Sequence, residues 1–155
     1  MKKIILSAFI FVMTMTTNTF ADIKMGIILG FTGPIESLTP AMAASAELAF
    51  KEASDSGSLL GGKRISVERA DSTCVDSAAA TSAAEGLVSG GVVAIMGADC
   101  SGVTGAIAKN VAVPNGVVMI SPSATSPGLT DLKDNGYFFR TAPSDARGGQ
   151  ILADI

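Results

Sequence analysis

Histidine and tryptophan are absent from the 155 residues, tyrosine occurs once and cysteine twice. Without histidine there is no Ser-His-Asp triad and no imidazole to hold a zinc or iron ion. The two cysteines, Cys74 and Cys100, do not form a Cys-x-x-Cys motif. Charged residues make up only 16% of the chain, and the net charge is −3. No basic patch is interleaved with aromatics, so neither nucleic acid nor an anionic membrane surface is an expected partner. Long apolar runs are missing as well, except at the amino terminus.

That terminus has its own grammar. Met1-Lys2-Lys3 is basic, Ile4 to Met15 is mostly apolar, and Thr19-Phe20-Ala21 offers small residues at both key cleavage positions. The pattern is that of a secretory signal peptide over residues 1–21, cut after Ala21. The apolar run is too short to span a bilayer and leads into threonines and an asparagine. No cysteine stands near the cleavage point to accept a lipid, so the mature chain is expected to be soluble and exported. Residues 22–155 fit one domain, and loss of Lys2 and Lys3 takes its net charge to −5. Export places Cys74 and Cys100 in an oxidising compartment, where a disulfide is favoured over a metal site.

The remaining sequence alternates between strand and helix signals. Residues 23–30, 64–70, 92–96, 116–120 and 137–141 read as strands. Helices are expected from Pro40 to before Gly57, from Asp76-Ser77 to Val88, from Ser101 to about Val113, and from Ser144-Asp145 onward. Gly33-Pro34, Gly90-Gly91 and Pro114-Asn115-Gly116 punctuate them. Gly57, Gly62 and Lys63 have P-loop spacing, but Arg64 replaces the hydroxyl residue and the segment precedes a strand; it is read as a turn. Five alternations predict an α/β fold, doubly wound around a mostly parallel sheet.

In such a sheet every loop after a strand falls on one edge, the edge where ligands bind. Those loops are dominated by hydroxyls, glycine and proline. Ser121 to Pro127 carries four hydroxyl residues between and beside two prolines directly after an apolar strand. Ser101 stands at a helix start, where N–H groups and the helix dipole attract anions. Thr125 could supply a second hydroxyl donor, and together these residues form a plausible carboxylate cradle. Asp71, Asp76 and Asp99 are better read as a helix cap and loop anchors than as a metal cluster. A Ser101–Lys109 pair spans two helical turns and makes a poor nucleophile and base. Tyr137-Phe138-Phe139 reads as core. No cofactor, no metal and no catalytic residue is implied.

These pieces together resemble the type I periplasmic binding proteins, in particular the leucine/isoleucine/valine-binding family of ABC importers. The residues that carry the likeness are Cys74 and Cys100, Ser121-Pro122-Ser123-Ala124-Thr125-Ser126-Pro127, Phe138-Phe139-Arg140-Thr141 and Ser144-Asp145. The resemblance implies two α/β lobes closing over an amino acid, with the first lobe holding the carboxylate through hydroxyls and amides. It assigns that role to Ser101, to Ser123 through its backbone, to the adjoining Ala124 and to Thr125, and it matches the family's first-lobe disulfide to Cys74 and Cys100. Thr32-Gly33-Pro34 leads to Leu38, where the family often has an aromatic against the ligand side chain. Family members are more than twice as long, so residues 22–155 correspond to the amino-terminal lobe, with hinge and second lobe absent. The implied function is periplasmic capture of an amino acid or similar small carboxylate for an ABC permease complex. A periplasmic sensory domain of the same fold, signalling to a partner protein, is the alternative; an enzyme ranks below both.

Overall fold

A computed structural model describes residues 23–155, so the expected signal peptide and its cleavage site lie outside the described residues. Five strands form one sheet in the order β2-β1-β3-β4-β5, and every pairing is parallel. They are β1 Ile23–Leu29, β2 Ile65–Asp71, β3 Ala94–Gly97, β4 Val118–Ser121 and β5 Phe138–Arg140. The helices are α1 Thr39–Asp55, α2 Ser77–Ser89, α3 Ser101–Ile107 and α4 Asp145–Ala153. The doubly wound α/β architecture expected from the alternation is therefore present.

Two cores sandwich the sheet. Ile27 and Leu29 point to one face, where Ala43 of α1 and half-buried Met42, Ala46 and Phe50 meet them. Ile28, Ile95 and Met119 point to the other, against Ala80, Ala84 and Leu87 of α2 and Val103 and Ile107 of α3. The alternation of β1 divides its side chains between these cores. Burial on both faces at Ile27, Ile28 and Leu29 explains why β1 reads as a continuous apolar run. The face that α1 covers is open over β4 and β5, where Ile120 and Phe139 are exposed. Of the three aromatics expected in the core, Phe138 is buried, Tyr137 half-buried and Phe139 half-exposed on that open face.

Several boundaries differ from the sequence reading for local reasons. Strand β3 starts at Ala94 because Val92 N–H still closes the turn after α2, bonding Leu87 O. The third helix reaches Val113 as expected, but beyond Ile107 it widens into a π-helical stretch, Ala108–Ala112. Pro114 cannot donate an N–H, so the end of this helix is closed by wider bonds such as Val113 N–H to Ala108 O at 3.0 Å. Asp76 caps α2, accepting from the N–H groups of Ala78 and Ala79. Ser144 caps α4 through Ala146 N–H.

Candidate functional site

The strand order reverses between β2-β1 and β3-β4-β5, which places the switch point between β1 and β3. At such a point the chain leaves adjacent strands in opposite directions, and ligands of open α/β sheets bind outside the carboxyl ends there. Asp99, almost wholly buried, sits at this switch point. Its carboxylate accepts from Gly30 N–H after β1 (2.7 Å), Ser72 Oγ after β2 (3.3 Å) and Cys100 N–H at the start of α3 (2.8 Å). Ser123 Oγ, after β4, donates to the Asp99 carbonyl at 3.0 Å. One residue thus ties four strand-end loops together. The expectation that Asp76 is a cap and that Asp71 and Asp99 satisfy loop amides agrees with these bonds.

The disulfide joins Cys74 in the loop after β2 to Cys100, the N-cap of α3. Next to it, Asp71 accepts from Thr32 Oγ1 (2.6 Å) and Thr73 N–H (2.8 Å). Burial pushes the Asp71 carboxyl up, but hydrogen bonds from the Thr32 hydroxyl and from the N–H groups of Thr73, Thr32 and Phe31 outweigh it. The carboxyl is held below its usual range. Gly33 crosses this loop closely: a Cβ there would lie 2.5 Å from Thr73 O, and its φ is +94°. Only glycine passes at that approach.

Ser101 and the loop of Ser123 to Ser126 are brought into contact. Ser101 Oγ accepts from the N–H groups of Thr125 and Ser126, both at 3.1 Å. A hydroxyl that accepts twice keeps one proton to donate. Beside it, helix geometry leaves the N–H groups of Ser101, Gly102 and Val103 without intrahelical acceptors. The half-buried Ser101 and exposed Gly102 keep this end open to solvent.

The other predicted contacts divide. Thr125 Oγ1 donates to Asp145 at 2.8 Å, so here it offers lone pairs outward, not the donor proton the sequence suggested. Ser123 is exposed with its hydroxyl spent on Asp99 O, leaving its main chain for a ligand. Ala124 is fully buried in the core; its N–H donates to Ser121 Oγ and its carbonyl accepts from Arg140. Its side chain therefore backs the loop and is withdrawn from the edge, a correction to its inclusion as a contact. Leu38 is 61% exposed at the end of the β1–α1 loop. Thr39 behind it bonds Gly30 O at 3.0 Å and anchors that loop to the switch point.

Residues 22–154 match the family model described as periplasmic binding protein. The chain belongs to the periplasmic binding protein family. It is 33% identical over 132 residues to the leucine-specific-binding protein of Salmonella typhimurium, covering 85% of this chain and 35% of that one. It is 30% identical over 135 residues to Leu/Ile/Val-binding protein homolog 3 of Brucella melitensis, covering 87% and 36%. Among solved structures, the substrate-binding protein LivJ of Streptococcus pneumoniae in complex with isoleucine is 35% identical with a TM-score of 0.71. That match covers 81% of this chain and 35% of that one. A solute-binding protein of R. palustris in complex with benzoate is 27% identical with a TM-score of 0.72, covering 86% and 36%. The chain thus spans about a third of the length of these relatives.

Within this family member, Arg140 and Asp145 are site neighbours to which the sequence reading gave no role at the site. Arg140 stands out in hindsight as the one charge ending the apolar β5, and Asp145 as an acid one residue past a helix cap. Lys109 is remote from the site: it lines a separate concavity of about 430 Å³ with Gly128, Asp131, Leu132 and Lys133, at the far end of the third helix. Among the described residues no helix is long and apolar enough to cross a membrane.

Asp99→Asn is expected to destabilise the chain by about 1–3 kcal/mol, because an amide NH2 would face donors that now find a carboxylate oxygen. Urea unfolding monitored by circular dichroism measures it. An unchanged midpoint would mean that the buried carboxylate does not hold these loops.

Proposed function

We propose that residues 22–155 are the amino-terminal ligand-binding lobe of an exported solute-capture protein. The lobe takes the carboxylate of an amino acid or related small acid in the periplasm for delivery to an ABC permease complex. The observation that carries this reading is the Ser101 hydroxyl, whose oxygen accepts from two amides and so keeps its proton to donate, beside the first-turn N–H groups of α3 at the switch point. Neutral donors there bind a carboxylate without a formal positive charge. The relatives' ligands agree in chemistry: leucine, isoleucine and benzoate each carry a carboxylate on an apolar body. The exposed Leu38, in the β1–α1 loop on the same edge, is assigned to the apolar body. The sensory alternative finds no support among the relatives named here.

A ligand held by one lobe keeps one face in water, so binding to this chain alone is expected to be weak. Titration of the isotope-labelled chain with L-leucine, L-isoleucine, benzoate and L-leucinamide, followed by amide NMR, tests it. The three carboxylates are expected to move the Ser101, Gly102, Ser123 and Thr125 amides, and leucinamide much less. Ser101→Ala is expected to weaken carboxylate binding about tenfold, the worth of one charge-assisted hydrogen bond. Equal affinity of Ser101→Ala for every ligand that binds, or equal response to leucinamide, would overturn the cradle.

A further inference from the structure

The loop that meets Ser101 is held from behind by one side chain. Arg140, at the end of β5, donates through Nη1 to the carbonyls of Ala124 (3.4 Å) and Ser126 (2.8 Å). Its Nη2 donates to Thr130 Oγ1 at 2.6 Å. A peptide unit is planar and trans, with C=O and N–H pointing opposite ways, so fixing one end aims the other. The Ala124 carbonyl and the Thr125 N–H belong to one such plane. Arg140 takes the first, and the second points away from it to Ser101 Oγ at 3.1 Å. The next plane is held by Asp145 N–H on the Thr125 carbonyl at 3.0 Å, and it sends Ser126 N–H to the same oxygen. Arg140's second anchor, the Ser126 carbonyl, precedes Pro127, which has no N–H to aim.

We propose that Arg140 is a positioning residue for the carboxylate site. By drawing the Ala124 carbonyl to the rear of the loop, it directs the Thr125 amide forward onto Ser101, and its grip on the Ser126 carbonyl holds the fork in place, while Asp145 N–H aims the Ser126 amide at the same oxygen. Both lone pairs of that hydroxyl are then filled, and its proton is left for the ligand. Arg140 itself donates to the rear of the loop and to Thr130. Without the fork, the plane between Ala124 and Thr125 is free to turn, and the Ser101 proton can be captured by a loop carbonyl. Lysine cannot substitute, because one ammonium is a point donor and does not span two carbonyls and a hydroxyl in a fixed plane. The proposal rests on the reading of Ser101 as a carboxylate donor.

The test uses the chain from Asp22 to Ile155 with Arg140→Gln and Arg140→Lys, and two readouts. Hydrogen exchange of the Thr125 amide is expected to quicken about tenfold in Arg140→Gln, with Arg140→Lys intermediate, while the Ser126 amide, held through Asp145, responds less and the amides of Ile27, Ile28 and Ile95 are unchanged. L-leucine affinity is expected to fall in the same order. Uniformly faster exchange across the sheet would make Arg140 a general structural residue and overturn the proposal. So would faster exchange at Thr125 with unchanged leucine affinity, or exchange in both variants equal to wild type. If Arg140→Gln does not fold, Arg140→Lys decides alone: wild-type exchange and affinity there would sink the fork. A wild-type chain that responds to no carboxylate would refute the proposed function, whereas a binding wild type with indifferent Arg140 variants would refute only this inference.

Discussion

Gly97→Ala is expected to abolish the fold. A Cβ built at Gly97 would lie 1.9 Å from Ile28 O and 2.9 Å from both Ile28 C and Ile28 Cγ2. Two of these three atoms are main chain in a central strand, so no rotamer change relieves the clash. The φ of Gly97 is +131°, a conformation that side-chain-bearing residues rarely adopt. Gly97 and Ile28 are also register partners between β1 and β3. Accommodating a methyl there would require the two innermost strands to part where Asp99 organises the loops. The expected cost is at least about 3 kcal/mol, a large fraction of the total stability of a domain this size. Circular dichroism and soluble yield of the variant measure it. A Gly97→Ala chain with a wild-type melting curve would show that β1 and β3 tolerate a methyl between them and overturn this prediction.

Loss of the disulfide is the second large effect. Replacing Cys74 and Cys100 with alanine is expected to cost about 3–4 kcal/mol, from the freedom returned to the unfolded chain when a closed loop of this size is opened. The residues are 26 apart in sequence. A local consequence adds to the global one. Thr73 and Cys74 have φ of 57° and 70°, left-handed values that a β-branched residue such as Thr73 resists. The bond from Cys74 to Cys100 closes this turn onto the N-cap of α3, one residue before Ser101. Opening it is therefore expected to disturb the Ser101 and Gly102 amides even where the rest of the sheet persists. Urea unfolding with and without reductant, alongside the double variant, tests the first point, and amide NMR the second. An unfolding midpoint indifferent to reductant would contradict the stabilising role.

The parts of this molecule that were legible in its sequence are those set by local rules. Short apolar or alternating runs bounded by helix caps and Gly/Pro turns were legible as strands, because they are too short for helices and follow turn signals. Asp76 and Ser144 announced helix starts because a side-chain oxygen there satisfies an otherwise orphaned N–H. The start of β3 was set by the turn before it: Val92 N–H bonds Leu87 O, and nothing in the apolar residues at 92–93 foretells where that turn ends. Phe139 shows the same limit: strand alternation says that it faces away from Phe138, but not whether a helix covers that side.

The candidate site divides in the same way. That hydroxyl and glycine-rich loops would gather on one sheet edge follows from the parallel αβ alternation alone, and Ser101 at a helix start is visible in the chain. What each hydroxyl can do was decided by tertiary contacts. Thr125 has no hydroxyl proton left for a ligand because it donates it to Asp145, twenty residues on. Ala124 became core because β4 turns its loop inward. Ser101 kept a proton to give because two amides from another loop fill its lone pairs. The sequence by itself determined the fold class, the edge and the residue types on it, since these depend on periodicity and connection rules. Only the tertiary structure decided which groups donate and which accept, because a hydroxyl's role is set by the partners that reach it, and those come from distant parts of the chain.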